Sequence, residues 1–173
     1  KPSAIFFGFT FCPEVCPTTL FELTTLAEQH GARITVIGSG ARDVHPLVDT
    51  LEWSEAAEID QIHGFDIGIM PLNETPWALG KCGYKLIQYM ACAKPVVASP
   101  VGVNREIVEH GVNGFLADSS EDWRIALERL LRDRDLRSTM GAVGCRKVLQ
   151  RYSLQSQQER VSSLLAACVE GID

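Results

Sequence analysis

Short runs of apolar and β-branched residues alternate with helical patterns along this chain of 173 residues. Most runs end at glycine, serine or proline, and the segments between them carry apolar residues at helical spacing. Parallel strands need crossover helices, and those helices then cover both faces of the sheet. The alternation therefore predicts an α/β fold with an open, mostly parallel sheet. The predicted strands are Ser3 to Phe9, Arg33 to Ile37, Val48 to Trp53, Asp66 to Met70, Pro95 to Ser99 and Phe115 to Ala117.

The helical patterns follow these strands, and no linker-like segment interrupts the series. We therefore expect residues 1–173 to form a single α/β domain that includes the first strand and helix. The loop from Pro71 to Gly80 is predicted to lack a helix. The predicted helices run from Pro17 through Ala27, Ser54 to Gly64, Lys81 to Ala93, Asn104 to Glu109, Asp135 to Tyr152 and Gln155 to Val169, and Ser119 or Ser120 is predicted to cap a further helix that continues through Leu131.

Charge argues against a nucleic-acid partner, and hydropathy argues against a transmembrane segment. The net charge is -6 and the isoelectric point is near 5.2, whereas a nucleic-acid surface requires clustered cations. The Arg-rich stretch from Arg124 to Arg137 also contains acids, so a solvated helix face is expected there. No run of 18 or more apolar residues occurs, so no transmembrane segment is predicted, and the first residues lack the pattern of a signal peptide.

Cysteines occur six times, but only Cys12 and Cys16 form a local pair. The other four are isolated within apolar helical patterns, where a free cysteine behaves as a small buried hydrophobe. They are Cys82, Cys92, Cys145 and Cys168.

The segment Phe6 to Leu20 reads FFGFTFCPEVCPTTL and resembles the copper-site segment of the thioredoxin-like Sco/SenC copper chaperones. The resemblance covers residues 1–29 and implies that Cys12 and Cys16 supply two thiolate ligands to Cu(I), which prefers soft ligands. A strained local disulfide and two free thiols are the alternatives. The family's third ligand is a histidine, and no histidine here lies in that context; the four are His30, His45, His63 and His110.

The segment Asp66 to Val108 reads DIGIMPLNETPWALGKCGYKLIQYMACAKPVVASPVGVNREIV, and HGVNGFLAD follows at His110 to Asp118. From about residue 32 to the end, the chain resembles the C-terminal half of a GT-B glycosyltransferase of family 4. The resemblance implies a Rossmann-like half-domain that binds a nucleotide sugar of the UDP or GDP type. It also implies a cytoplasmic location and a partner, the N-terminal half that binds the acceptor.

The candidate donor site is the loop Gly80-Lys81-Cys82-Gly83-Tyr84, which runs into a predicted helix. Unpaired backbone N–H groups and the positive helix end favour a diphosphate there, and Lys81 and Lys85 would add charge. Alternatively, Gly80 and Gly83 serve only a tight turn and helix packing. The family resemblance favours donor binding.

The chain departs from the family pattern at two glutamates that normally lie eight positions apart. Gly80 and Gln88 occupy these positions, so the resemblance assigns no catalytic residue here. Gln88 would still bind a ribose hydroxyl through its amide. Glu74 is more typical of a solvated loop acid than of a sugar ligand. The family's Gly-rich turn with a basic residue is also absent, and residues 1–29 take its place.

The simplest interpretation is a chimera with its junction between Thr24 and Ala32, in which residues 30–173 form the glycosyltransferase-like part. Such a half-domain would bind a nucleotide sugar and be inactive alone. A copper-binding or thiol-redox module at Cys12 and Cys16 is one alternative, and a recombinant chimera with a fold but no function is another. The parent of the Sco-like segment would be membrane-anchored and periplasmic or mitochondrial.

Overall fold

Six parallel strands form one sheet in the order β3-β2-β1-β4-β5-β6. The computed structural model describes the backbone of residues 3–7, 16–38 and 45–170, and the side chains of residues 23–38 and 45–168. The predicted fold class is confirmed, although several strands are shorter than their apolar patterns. Their bounds are β1 Ser3–Phe7, β2 Arg33–Ile37, β3 Val48–Leu51, β4 Ile67–Met70, β5 Val96–Ala98 and β6 Gly114–Leu116.

Helices follow every strand of this sheet except β2, where the structure describes none. A short helix, α3, lies inside the predicted loop Pro71 to Gly80, because Thr75 accepts from the backbone N–H of Ala78 and Pro76 fits a first turn. Among the described residues, no helix combines the length and apolar character needed to cross a bilayer. The helices are α1 Cys16–His30, α2 Glu58–His63, α3 Pro76–Leu79, α4 Tyr84–Ala91, α5 Asn104–Ile107, α6 Ser120–Arg132, α7 Arg134–Arg151 and α8 Leu154–Glu170.

Strand β1 lies in the middle of the sheet, although it is the first strand of the chain. Ala4 is paired with Ile34 of β2 on one side and with Ile67 of β4 on the other. The strand order reverses between β1 and β4, so the crevice at the carboxyl ends of these two strands is where open α/β sheets bind ligands.

Each face of the sheet carries its own apolar core. On β5, Val97 joins the cluster under α1 and α6, whereas Val96 and Ala98 join the cluster under α2, α4, α5 and α7. This alternation follows from the two-residue period of a strand. Leu127 and Tyr89 are among the fully buried side chains of the two clusters. The second cluster therefore fixes α2 and α4 on the same side of the sheet.

Glycines on α7 allow it to pack closely against the end of α4. A Cβ atom at Gly141 would lie 2.0 Å from the carbonyl oxygen of Ala93, and one at Gly144 would lie 3.0 Å from Cγ of Met90. Real Cβ atoms do not approach a backbone oxygen so closely. Glycine at position 141 is thus required by this helix contact.

Candidate functional site

The candidate site lies at the carboxyl edge of the sheet, where β3 leads into α2 and β4 leads into α3 and α4. Trp53 follows β3, and Glu58 is the first residue of α2. Lys85 and Gln88 lie three residues apart on α4, so they project from the same side of that helix. The topology therefore brings polar side chains from two separate βα connections together.

The Glu58 carboxylate is the centre of this polar cluster. Its Oε2 accepts a hydrogen bond of 2.7 Å from Nε2 of Gln88, and its Oε1 accepts one of 2.9 Å from Nε1 of Trp53. The ammonium of Lys85 also donates to Oε1. The side chains of Glu58 and Lys85 are only 13% and 22% exposed, so this ion pair is largely shielded from water.

The pKa of Glu58 reflects two opposing influences. Burial is the largest single influence and raises the pKa, but the hydrogen bonds from Lys85, Trp53 and Gln88 and the charge of Lys85 lower it. Together the lowering influences win, so the pKa falls below the ordinary value of 4.5. Glu58 is therefore ionised at neutral pH, and its negative charge balances the positive charge of Lys85.

Gln88 is 92% buried, since its relative exposure is 8%. A carboxylate only accepts hydrogen bonds, so Glu58 requires the amide nitrogen of Gln88 on its side. The amide oxygen, Oε1, then has no partner within the described structure and is shielded from solvent. Gln88 thus presents one unsatisfied acceptor beside an occupied donor.

In the turn before α4, the backbone geometry requires glycine at position 83 but not at position 80. Gly83 has φ of +65°, and a Cβ atom there would lie 2.4 Å from Cδ1 of Ile107. Turn geometry and helix packing therefore both require glycine at position 83. Gly80 has φ of -80°, and its Cβ atom would meet only the carbonyl oxygen of Trp77, at 3.6 Å. A side chain fits at position 80 without strain.

The predicted helix start at Lys81 is wrong, because the left-handed turn at Gly83 delays the helix until Tyr84. The result is a polar helix entrance: no described residue accepts a hydrogen bond from the backbone N–H groups of Cys82, Gly83 or Tyr84. Lys85, which is expected to add positive charge to the donor site, forms an ion pair with Glu58 instead. Lys81 forms no ion pair with a described residue.

No pattern in the sequence singles out Trp53 or Glu58 as site residues. The signal that was available is the pair Lys85 and Gln88, whose spacing places an ammonium and an amide on one helix face. That spacing calls for an acceptor but does not show which one, because Glu58 lies 27 residues from Lys85 in the chain. Glu74 is exposed in the loop after β4, as expected of a solvated acid.

The cysteine predictions need correction or fall outside the description. Cys82 lies exposed in the turn before α4 and Cys168 is exposed on α8, so neither is the buried hydrophobe that the pattern indicated. Cys92 and Cys145 are half-buried. The Cys12 and Cys16 side chains lie outside the described residues. Within the described residues, no group of three histidine, cysteine or acidic side chains is arranged to hold a metal.

A family model described as "Glycosyl transferases group 1" matches residues 16–133, which is more than half of the chain. The match begins inside the segment 1–29 that resembles Sco/SenC proteins. A D-inositol 3-phosphate glycosyltransferase of Xylanimonas cellulosilytica is 32% identical over 141 residues, which make up 79% of this chain and 29% of that protein.

Solved structures share the fold at low identity. Anabaena HepE, crystallised in complex with UDP and glucose, aligns with a TM-score of 0.76 at 20% identity, over 95% of this chain and 48% of that one. The C-terminal domain of a group 1 glycosyl transferase, LpcC of Francisella tularensis, aligns with a TM-score of 0.68 at 19% identity, over 88% and 86%. The chain thus spans less than a third of its curated relative and about half of HepE.

Proposed function

The chain belongs to the glycosyl transferases group 1 family, and we propose that it is a half-domain that binds a nucleoside diphosphate sugar of the UDP or GDP type. The observation that carries the proposal is the entrance of α4, where the backbone N–H groups of Cys82, Gly83 and Tyr84 have no described acceptor. This entrance lies at the carboxyl edge of a doubly wound sheet. It follows β4 in the chain, and β4 is one of the two strands between which the strand order reverses.

The diphosphate is assigned to this entrance. Three free N–H groups and the positive end of α4 suit an anion, and Lys81 adds an unpaired ammonium among the described residues. Gly80 and Gly83 form the turn that leads into the helix. The proposed donor-binding residues are Gly80, Lys81, Cys82, Gly83, Tyr84 and Gln88.

The nucleoside is assigned to the side chains around Glu58. The unpartnered Oε1 of Gln88 is an acceptor, and a ribose hydroxyl is a donor of the right kind. Since this oxygen is shielded from solvent, binding requires a small movement of the side chains that cover it. Trp53 is 53% exposed and is held through Nε1 by Glu58, so its ring offers a fixed plane for stacking a base.

Sugar transfer would need a second half that binds the acceptor, so the half-domain is proposed to be inactive alone. Helix α8 is the proposed contact surface, since its described side chains are mostly exposed although several are large and apolar. Such uncovered apolar surface is typical of an interface. Its exposed members are Leu154, Val161, Leu164 and Leu165. The cytoplasmic location stays a prediction.

Titration with UDP, followed by the backbone amide signals in NMR spectra, tests the proposal. HepE was crystallised with UDP, which makes UDP the first probe. We expect shifts at residues 80–88 with a dissociation constant near millimolar, about -4 kcal/mol, because Lys85 is neutralised and no carboxylate occupies positions 80 and 88. Shifts confined to the amino edge of the sheet, or no shifts at all, would contradict the donor site.

Gln88→Ala separates the ribose contact from the diphosphate contact. The variant should weaken binding of UDP but leave the weaker binding of 2′-deoxy-UDP nearly unchanged, if the 2′-hydroxyl is the donor to Oε1. Gln158→Ala, an exposed change on α8, is the matched control and should affect neither ligand. Equal losses for UDP and its 2′-deoxy analogue would argue against the hydroxyl contact.

The copper-binding or thiol-redox alternative at Cys12 and Cys16, the chimera itself and the alternative of a fold without function stay predictions. Titration with Cu(I) distinguishes the first of these: the double variant Cys12→Ser and Cys16→Ser should abolish binding of Cu(I) while UDP binding persists. Unchanged binding of Cu(I) by that variant would eliminate these two thiols as the site.

A further inference from the structure

A cavity of about 240 Å³ lies between the segment that connects α5 to β6 and the second half of α7. Three of its lining side chains are cations, Arg146, Lys147 and Arg151, and one is an acid, Glu109. We call this the basic cavity. Its local charge is +2, on a chain whose net charge is -6.

The basic cavity is separate from the candidate donor site. Asn113, which lines the cavity, directly precedes β6 and so lies at the amino edge of the sheet. The entrance of α4 lies at the carboxyl edge. Because all six strands are parallel, the two sites are at opposite edges of the sheet.

One wall of the cavity is fixed by Asn113, which is fully buried. Its Oδ1 accepts from the backbone N–H of Glu109 at 2.9 Å, and its Nδ2 donates to the carbonyl oxygen of Ile107 at 3.1 Å. The amide therefore has its polar groups occupied in holding the segment in place. This wall exists before any ligand binds.

The opposite wall crowds positive charge together. Lys147 donates a hydrogen bond of 2.8 Å to the carbonyl oxygen of Glu106. Burial lowers the pKa of Lys147, and Arg151 lowers it further while Glu109 acts in the opposite direction. Neither Arg146 nor Arg151 forms an ion pair with a described residue. Three cations thus share the cavity with one acid, Glu109, and a bound anion would balance the remaining positive charge.

We propose that the basic cavity binds a phosphate group. A phosphate near neutral pH carries roughly two negative charges, which match the local charge of +2. A guanidinium group can donate two parallel hydrogen bonds to the oxygens of one phosphate, and an ammonium adds a point charge. The cavity is smaller than typical pockets for drug-sized molecules, which begin at about 300 Å³, so it holds the free ion or the phosphate end of a larger molecule.

Helix electrostatics account for only part of this cation cluster. Arg151 is in the last turn of α7, where a cation also complements the helix dipole. Arg146 is five residues before the helix end, where that effect has faded. The hydrogen bond to the carbonyl oxygen of Glu106 accounts for Lys147, whereas Arg146 has no ion-pair partner among the described residues, and a bound anion would provide one.

NMR titration of the whole chain with inorganic phosphate, and separately with glycerol 3-phosphate, tests the proposal and distinguishes the free ion from a phosphomonoester. We expect shifts at residues 109–113 and 143–151, and Arg146→Gln should weaken binding about tenfold. Glu109→Gln should tighten binding, because it removes the one acid among the described residues that line the cavity, and a gain in affinity cannot come from misfolding. Arg134→Gln, an exposed change on the same helix, is the matched control.

Three results would overturn the proposal. They are an absence of shifts at roughly 10 mM of both probes, shifts confined to residues 80–88, and equal weakening by Arg146→Gln and Arg134→Gln, which would indicate a non-specific charge effect. Failure of UDP binding at the carboxyl edge would leave the basic cavity unaffected, so the two proposals fail independently.

Discussion

Glu58 explains why residue 88 carries an amide rather than a carboxylate. The Glu58 carboxylate needs a donor where Gln88 approaches it, at 2.7 Å. A glutamate at position 88 would place two carboxylates side by side in a largely buried setting, where like charges are unfavourable. The amide at position 88 is thus coupled to a carboxylate on a different helix.

Gln88→Glu should therefore destabilise the protein at neutral pH and recover part of the loss in acid, where one carboxylate takes up a proton. The loss of one buried hydrogen bond to a charged group suggests about 1–3 kcal/mol, measured by urea denaturation near pH 7 and pH 4. Gln158→Glu, on the exposed face of α8, provides the comparison. A neutral-pH stability equal to the parent's would show that Glu58 tolerates a second carboxylate.

The lowered pKa of Glu58 also predicts a pH dependence of stability. A group whose pKa is lower in the folded state than its ordinary value of 4.5 stabilises the fold above that value and loses this effect as the pH falls through the folded pKa. Glu58→Gln should thus cost stability at neutral pH and little in acid. The free energies of unfolding of parent and variant should converge as the pH falls below that ordinary value of 4.5, whereas Gln158→Ala, an exposed change on α8, should leave the pH dependence of the parent unaltered.

At the scale of elements, the contact between α7 and the end of α4 determines how closely these two helices pack over the second face of the sheet. Gly141 meets the carbonyl oxygen of Ala93, which itself has φ of +54° in the turn between α4 and β5. A methyl group at position 141 would push α7 away from that turn. The helix contact is therefore specified by the absence of a side chain.

Gly141→Ala tests this contact through the sign of the change in the free energy of unfolding. Within a helix, alanine is favoured over glycine by roughly 0.5–1 kcal/mol, but overpacking a close contact costs about 1–3 kcal/mol. We expect net destabilisation in thermal or urea unfolding. Ser138→Ala, at an exposed position of the same helix, should be neutral or stabilising. A more stable Gly141→Ala protein would mean that α7 shifts at little cost.

The sequence was sufficient to predict the elements whose signals are local. Alternating apolar runs predict the six strands, and Thr75 with Pro76 is a local start signal for α3, although that helix is absent from the prediction. The predicted start of α4 is too early, because Gly83 takes a left-handed φ of +65°, and a single glycine in a sequence does not show which φ it takes. The cluster at Glu58 was missed because it joins α2 to α4, and no local pattern encodes that distance.

At the scale of the whole molecule, β1 connects the two halves of the sheet. It has β2 on one side and β4 on the other, with Ile5 in register with Thr35 and Gly68. Helix α1 supplies Leu23, Leu26 and Ala27 to the first apolar core. Residues 1–29 thus contribute an interior strand and part of the core, whatever their origin.

Deleting residues 1–29 should abolish cooperative folding. The deletion leaves β2 and β4 with unpaired edges facing each other across the gap and uncovers the apolar face that Leu26 and Ala27 bury. We expect an insoluble product, or one with residual helical circular dichroism, dye binding to exposed apolar surface and no cooperative transition. Deleting residues 154–173 is the matched control: its described side chains are mostly exposed, so cooperative unfolding should persist. A dispersed NMR spectrum and a cooperative transition in the first variant would show instead that residues 30–173 fold alone, and that β2 and β4 close the gap themselves.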